Sequence, residues 1–178
     1  DDIIVINKPF DMPAHPSAGN HDNTLANALM YYYGSQNKPF VYRCINRLDR
    51  DTTGLTIVAK HALAGGILGN AVAKRAIHRT YYAVCSGCTP ICMRISAPIA
   101  RKDASTIERC VDFKHGEYAV TDFIRIKYNP DNNLSLVKLR LLTGRTHQIR
   151  VHMKYIGFPL IGDFLYCLLY TSDAADDR

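Results

Sequence analysis

Apolar positions along the chain alternate or cluster in a way that predicts several strands and a few short helices. Ile3-Ile4-Val5-Ile6 is a β-favouring run ending at Asn7-Lys8-Pro9, which reads as a strand entering a turn. The Pro-, Gly-, Asn- and Asp-rich stretch 11–24 predicts a loop. Thr24 or Asn23 then caps a helix over 25–34, with Leu25, Ala28, Leu29 and Tyr32 on one face and Gly34 as its stop. Residues 40–48 resume strand character, 49–54 form a polar turn, and 55–59 a buried strand. Over 60–76, Leu63, Ile67, Leu68, Ala71 and Val72 fall at helical spacing. Gly65, Gly66 and Gly69 each cost about 1 kcal/mol there relative to Ala, so this helix must lean on packing. Further strands are predicted over 78–87, 118–128 and 134–142. In the last, Leu136, Lys138 and Arg140 share one face and Val137, Leu139 and Leu141 the other. The turn 143–146 leads to a helix with Ile149, Met153 and Ile156 on one side, ended by Gly157 and Pro159. With no internal repeat, the pattern predicts an α+β fold: a mixed, mostly antiparallel sheet with a few flanking helices.

A chain of 178 residues, 47% hydrophobic and 21% charged, has the balance of one globular domain with one core rather than of a disordered or fibrous protein. Its apolar runs fall far short of a membrane span, and no basic-then-apolar leader opens it, so a soluble protein is expected. The net charge of +6 is unevenly placed: residues 1–60 hold six of each sign, 61–167 hold fifteen basic against seven acidic, and 168–178 hold one against three. That basic excess suits a polyanion partner, or is merely a solvated basic face. The six cysteines point to thiols in a reducing compartment. Cys85, Cys88 and Cys92 could begin a metal site but lack a nearby fourth ligand, so small thiols around a strand end are the plainer reading and no metal is expected.

Two polar segments stand where the flanking pattern predicts burial: Asn46-Arg47-Leu48-Asp49-Arg50-Asp51-Thr52-Thr53-Gly54, and Thr143 through His152. A carboxylate among Arg47, Arg50 and a more distant Arg stays ionised, as a nucleophile must. Taken alone, however, Asp49 also reads as the cap of a salt-bridged turn, Tyr81 as a sheet-face aromatic, and Arg150 with Lys154 as a solvated ridge. His147 and His152 are spaced i, i+5 and so do not share a helical face as a metal pair would.

The segments NRLDRDTTGLTIVAK, HRTYYAV and LLTGRTHQIRVHMKYIGFPLIGDFLY, in this order, resemble the successive signature segments of the RluA-type family of RNA pseudouridine synthases, and IIVINKPFDMPAHP resembles the family's opening strand and Lys-Pro loop. The resemblance implies the family's catalytic aspartate at Asp49, the aromatic residue that lies against the target base at Tyr81, and the aspartate's basic partner at Arg150. It places at Arg47 the arginine that enters the RNA where the base has left. Arg50, Arg145, His147 and Gln148 complete the expected RNA-contacting set, the last two also arranging the turn beneath Arg150. The implied activity is the isomerisation of uridine to pseudouridine in ribosomal or transfer RNA, with no cofactor or metal. It also implies a target base flipped out of a loop or bulge, and a monomer acting in the cytoplasm is expected.

The chain departs from the family pattern in places. Asn46 stands where His is frequent and Thr53 where Ser is common. Residues 1–167 are expected to be a catalytic domain cut short at both ends, and the acidic, Ala-rich 168–178 a tail of foreign origin. That truncation makes an inactive RNA-binding module the alternative. A glycosidase-like hydrolase would need a second carboxylate, for which only Asp51 lies near.

Overall fold

A computed structural model describes residues 2–17, 21–102 and 107–167; the 168–178 tail lies outside them. Packing divides the chain into two compact units, Asp1–Ile77 and His78–Arg178. Among the described residues no helix is long and apolar enough to cross a membrane.

In the first unit, β1 (Ile3–Lys8), β2 (Arg43–Cys44) and β3 (Gly54–Ala59) form an antiparallel sheet in the order β1-β3-β2. The apolar run of β3 suits its central place, with Val58 and Ala59 fully buried. Helix α1 (Leu25–Gly34) is capped by Thr24, whose hydroxyl accepts the Asn27 amide while the Asn27 side chain accepts the Thr24 amide, both at 3.2 Å. Its inward face is shifted from the expected one. Leu25, Ala26, Leu29 and Tyr33 turn inward, while Ala28 and Tyr32 are exposed, because Tyr33 stacks on Phe40 with ring centroids 4.3 Å apart. Gly34 ends the helix as its last residue and Ser35 caps it.

Helix α2 (Ala62–Ala73) also presents a face shifted from the predicted one: Leu63 and Ile67 are exposed and Ala64 is buried. Gly65 explains the choice. A Cβ at that position would lie 3.3 Å from Arg43 Cδ and 3.7 Å from Ala59 Cβ, so the helix meets the sheet closely at Ala64 and Gly65, with Leu68, Ala71 and Val72 of the predicted face half-buried and Leu63 and Ile67 turned outward. The predicted strand over 40–48 is cut to two residues. Beyond Cys44 the Ile45 amide still bonds the Ile57 carbonyl at 2.8 Å, but at Asn46 a side chain takes over from the main chain. Its Oδ1 accepts the Ile57 amide at 2.8 Å and its Nδ2 donates to the Leu55 carbonyl at 2.9 Å, freeing the following backbone to leave the sheet.

The second unit comprises β4 (Arg79–Ser86), β5 (Cys92–Ser96), β6 (Ile99–Arg101), β7 (Arg109–Val111), β8 (Val120–Asn129), β9 (Leu134–Leu141) and α3 (Gln148–Tyr155). Four strands make an antiparallel sheet in the order β4-β9-β8-β5, and β6 pairs with β7. Val137 and Leu139 are fully buried while Lys138 and Arg140 are exposed, as the alternation predicts. Cys85, Ile95, Phe123, Val137, Leu139 and Met153 share one cluster; Ile99, Ala119, Val151 and Tyr166 form another, so α3 serves both. Gly157, at φ +86°, ends α3: its amide bonds the Lys154 carbonyl and that of Phe158 the Met153 carbonyl.

A buried chain of polar groups ties α3 to β8. The Gln148 side chain accepts from the Thr143 hydroxyl at 2.7 Å and the Arg145 amide at 3.0 Å, and donates to the Val120 carbonyl at 2.9 Å and Thr121 Oγ1 at 3.0 Å. Thr121 Oγ1 lies 2.9 Å from His152 Nδ1, and His152 Nε2 donates to the Ala97 carbonyl at 2.9 Å. Because a carbonyl can only accept, Nε2 carries the proton and Nδ1 accepts from the threonine. Burial pushes the imidazole below its ordinary value of 6.5, only partly opposed by the bond to Ala97. The unfolded chain therefore takes up this proton first, so the contribution to stability is complete above about pH 6.5 and is lost as pH falls through the lower folded value. The melting temperature is expected to drop between about pH 7 and about pH 5, and to drop less steeply in His152→Gln. Calorimetry across that range checks it.

Candidate active site

Asp49 is half-buried on the loop joining β2 to β3 in the first unit. Its neighbour Leu48 is only 5% exposed and anchors the loop from below, and the Thr52 amide closes a turn on the Asp49 carbonyl at 3.1 Å. Asn46 pins the incoming arm. The outgoing arm rejoins the sheet at Gly54, whose φ of +125° is open to glycine and strained for other residues.

A residue absent from the sequence-based set holds the middle of this loop. Lys8, at the end of β1, is fully buried, and its ammonium donates to the carbonyls of Pro9 at 2.9 Å, Met12 at 2.8 Å and Arg50 at 2.9 Å. The Met12 amide meets the same Arg50 carbonyl at 3.2 Å. Burial lowers the Lys8 pKa, against the opposing pull of the nearby negative charges of Asp51, Asp49 and Asp11. Lys8→Met should take the ammonium from the Pro9 and Met12 carbonyls, leave the Arg50 carbonyl with only the Met12 amide, and loosen the loop by about 2 kcal/mol, part of the loss being offset because no charge is then buried. Denaturant unfolding checks the size, and proteolysis between residues 46 and 54 checks the location.

The arginines of this loop differ in their engagement. Arg50 is ion-paired with Asp11 at the surface. Arg47 is exposed, and its positive charge adds to burial in holding the pKa of His15 below the usual imidazole range.

In the second unit, Tyr81 lies on β4 opposite Leu139, partly buried against the first core cluster on the side of Ala83 and Cys85. Strand parity turns its neighbour Tyr82 the other way, 64% exposed. Arg145 bonds the Tyr118 carbonyl at 3.1 Å and pairs with Glu117. Gln148 is 2% exposed, with its amide wholly engaged in the buried chain described above, so it arranges the turn ahead of Arg150. His147 begins α3 in a left-handed conformation, φ +56°, with Nδ1 2.8 Å from the Tyr166 hydroxyl.

Arg150 is no solvated ridge. Its Nε and Nη2 donate to Asp163 Oδ2 and Oδ1 at 2.7 and 2.6 Å, and its Cζ lies 4.8 Å from the centre of the Tyr166 ring. Burial pushes the Asp163 carboxyl up, but Arg150 and the amides of Tyr166 and Leu165 outweigh it and hold the group below its ordinary range. Neither Lys8 nor Asp163 was singled out from sequence, though both stand inside the quoted segments, at Lys-Pro and Gly-Asp. A charged residue at the end of an apolar run was the available signal.

The structure therefore gathers Arg47, Asp49 and Arg50 on one loop of the first unit, and Arg145, His147, Gln148 and Arg150 around the start of one helix of the second, with Tyr81 on β4 of that unit. Of the three clustered cysteines, Cys85 is buried with its thiol pushed up to about 12 by desolvation, while Cys88 and Cys92 are exposed. No group of three or more His, Cys, Asp or Glu gathers to hold a metal among the described residues.

Comparison with known proteins places these segments. The chain is 44% identical over 167 residues to the ribosomal large subunit pseudouridine synthase D of Haemophilus ducreyi, covering 93% of this chain and 50% of that protein. It is 41% identical over 165 residues to an uncharacterized RNA pseudouridine synthase of Bacillus subtilis, covering 92% and 54%. The chain thus spans about half the length of the curated relatives it matches. Among solved structures, human RNA pseudouridylate synthase domain containing 1 superposes with a TM-score of 0.77 at 28% identity, covering 94% of this chain and 67% of that one. The family model described as RNA pseudouridylate synthase matches residues 2–155, and the chain belongs to that family.

Proposed function

We propose that this chain converts uridine to pseudouridine in structured RNA, with ribosomal RNA the favoured substrate given what its relatives are named for. The observation that carries the reading is Asp49 itself, half-buried on a loop held by a buried lysine, an asparagine side chain and Leu48 within the family's matched span. The reaction breaks the N1–C1′ bond, turns the uracil, and joins C1′ to C5, whose proton then leaves to solvent. Nothing is oxidised or reduced, so the chemistry asks for no cofactor. Asp49 supplies the carboxylate that acts on the ribose or assists at C2′. Tyr81 gives the detached base an aromatic face, Arg150 is the carboxylate's basic partner, and Arg47 enters the space the base vacates. Flipping the base out costs a few kcal/mol, which contacts from the basic 61–167 segment offset. The chain acts as a monomer in the cytoplasm.

Incubation with ribosomal RNA tritiated at uridine C5 tests the reading: tritium should pass to water with one pseudouridine formed per tritium released. RNA binding without release would replace this reading with the inactive binding module.

A further inference from the structure

We infer that Asp163 is a positioning residue for Arg150, fixing with Tyr166 the orientation in which that guanidinium serves the reaction. The inference rests on the role given to Arg150 above. Two parallel hydrogen bonds of 2.7 and 2.6 Å lock the guanidinium within its own plane, and the Tyr166 ring, 4.8 Å from Cζ, covers one face of that plane.

The clamp is itself immobilised. The Asp163 side chain is 4% exposed against 17% for Arg150, and Asp163 Oδ1 also accepts the Leu165 and Tyr166 amides at 3.1 Å each. The Tyr166 hydroxyl accepts the Arg109 amide at 2.8 Å and meets His147 Nδ1 at 2.8 Å. Both carboxylate oxygens thus face the Nε–Nη2 edge, so Arg150 meets any further group through its Nη1 hydrogens or the second hydrogen of Nη2. An arginine needed only for bulk positive charge would not require a buried fork. A group that must sit correctly to within a fraction of an ångström does.

The test uses the whole chain with Asp163→Asn, Arg150→Lys and the double variant. Asp163→Asn should lower kcat for tritium release about 10²-fold while leaving KM for RNA within about threefold. Added to Arg150→Lys, it should cost no more than about a further threefold, since it acts through the same group. Independently of turnover, the Arg150 Nε–H resonance of the isotope-labelled protein should be sharp and slow to exchange, and should exchange at least about tenfold faster in Asp163→Asn. An Asp163→Asn enzyme with a lowered melting temperature but normal kcat, beside an impaired Arg150→Lys, would overturn the inference. So would an Arg150 Nε–H that exchanges as fast as an exposed arginine in the unaltered chain. If no form releases tritium yet the Nε–H protection depends on Asp163, the clamp stands and the uridine reading falls.

Discussion

Asp49→Asn is expected to lower tritium release from uridine-labelled RNA by at least about 10³-fold while leaving the melting temperature and RNA affinity near those of the unaltered chain. The substitution keeps the size and shape of the side chain and removes only its ability to be an anion, which is what attack on the ribose or proton removal at C2′ requires. The loop has other supports: the Asn46 amide bridge to Ile57 and Leu55, the buried Leu48, and the Lys8 ammonium on the Arg50 carbonyl. A loss of rate with unchanged folding therefore isolates the chemistry. Asp51→Asn, two residues away and exposed, should stay within about twofold. Equal losses in the two variants would mean that the loop's charge, rather than one carboxylate, matters, and full activity in Asp49→Asn would remove the mechanism.

The largest expected change in stability comes from a residue without charge. Gln148→Leu should destabilise the second unit by roughly 4 kcal/mol. The leucine fills a similar volume but strands the Arg145 amide and takes one partner each from the Thr143 hydroxyl, Thr121 Oγ1 and the Val120 carbonyl, which keeps the Leu142 amide, all at a site where the glutamine is only 2% exposed. A stranded buried group costs about 1–3 kcal/mol, and each lost partner less where Thr143, Thr121 and the Val120 carbonyl keep their remaining ones. Urea unfolding followed by tyrosine fluorescence measures the change; a loss below about 1 kcal/mol would show that the network contributes shape rather than stability. Arg145→Ala, which removes an exposed pair with Glu117, should cost at most about 1 kcal/mol by the same measurement.

Much of this fold could be read from periodicity, and the exceptions share a cause. Strands β1, β3, β4, β8 and β9 carry their own alternation or apolar runs, and α3 its own stop at Gly157. The short strands β5, β6 and β7 offered no comparable pattern. Helix α2 turns Leu63 and Ile67 outward and approaches the sheet at Ala64 and Gly65, where Arg43 and Ala59, distant in sequence, leave a side chain little room. Likewise the strand before Asp49 stops early because a single side chain satisfies Leu55 and Ile57. The site divides in the same way. Asp49, Tyr81 and Arg150 are legible only through their motifs, whereas Lys8 and Asp163 are charged residues that composition assigns to the surface. What buries them is a set of partners up to 42 residues away for Lys8 and 13 for Asp163.

Asn46 also bears on how the loop responds to acid. The position calls for one acceptor, facing the Ile57 amide, and one donor, facing the Leu55 carbonyl. A carboxamide offers both at every pH. An imidazole in its place would offer one of each only while neutral, since its protonated form has two donors and no acceptor. With asparagine there, the tether beside Asp49 has no titrating element, and mild acidification leaves it intact.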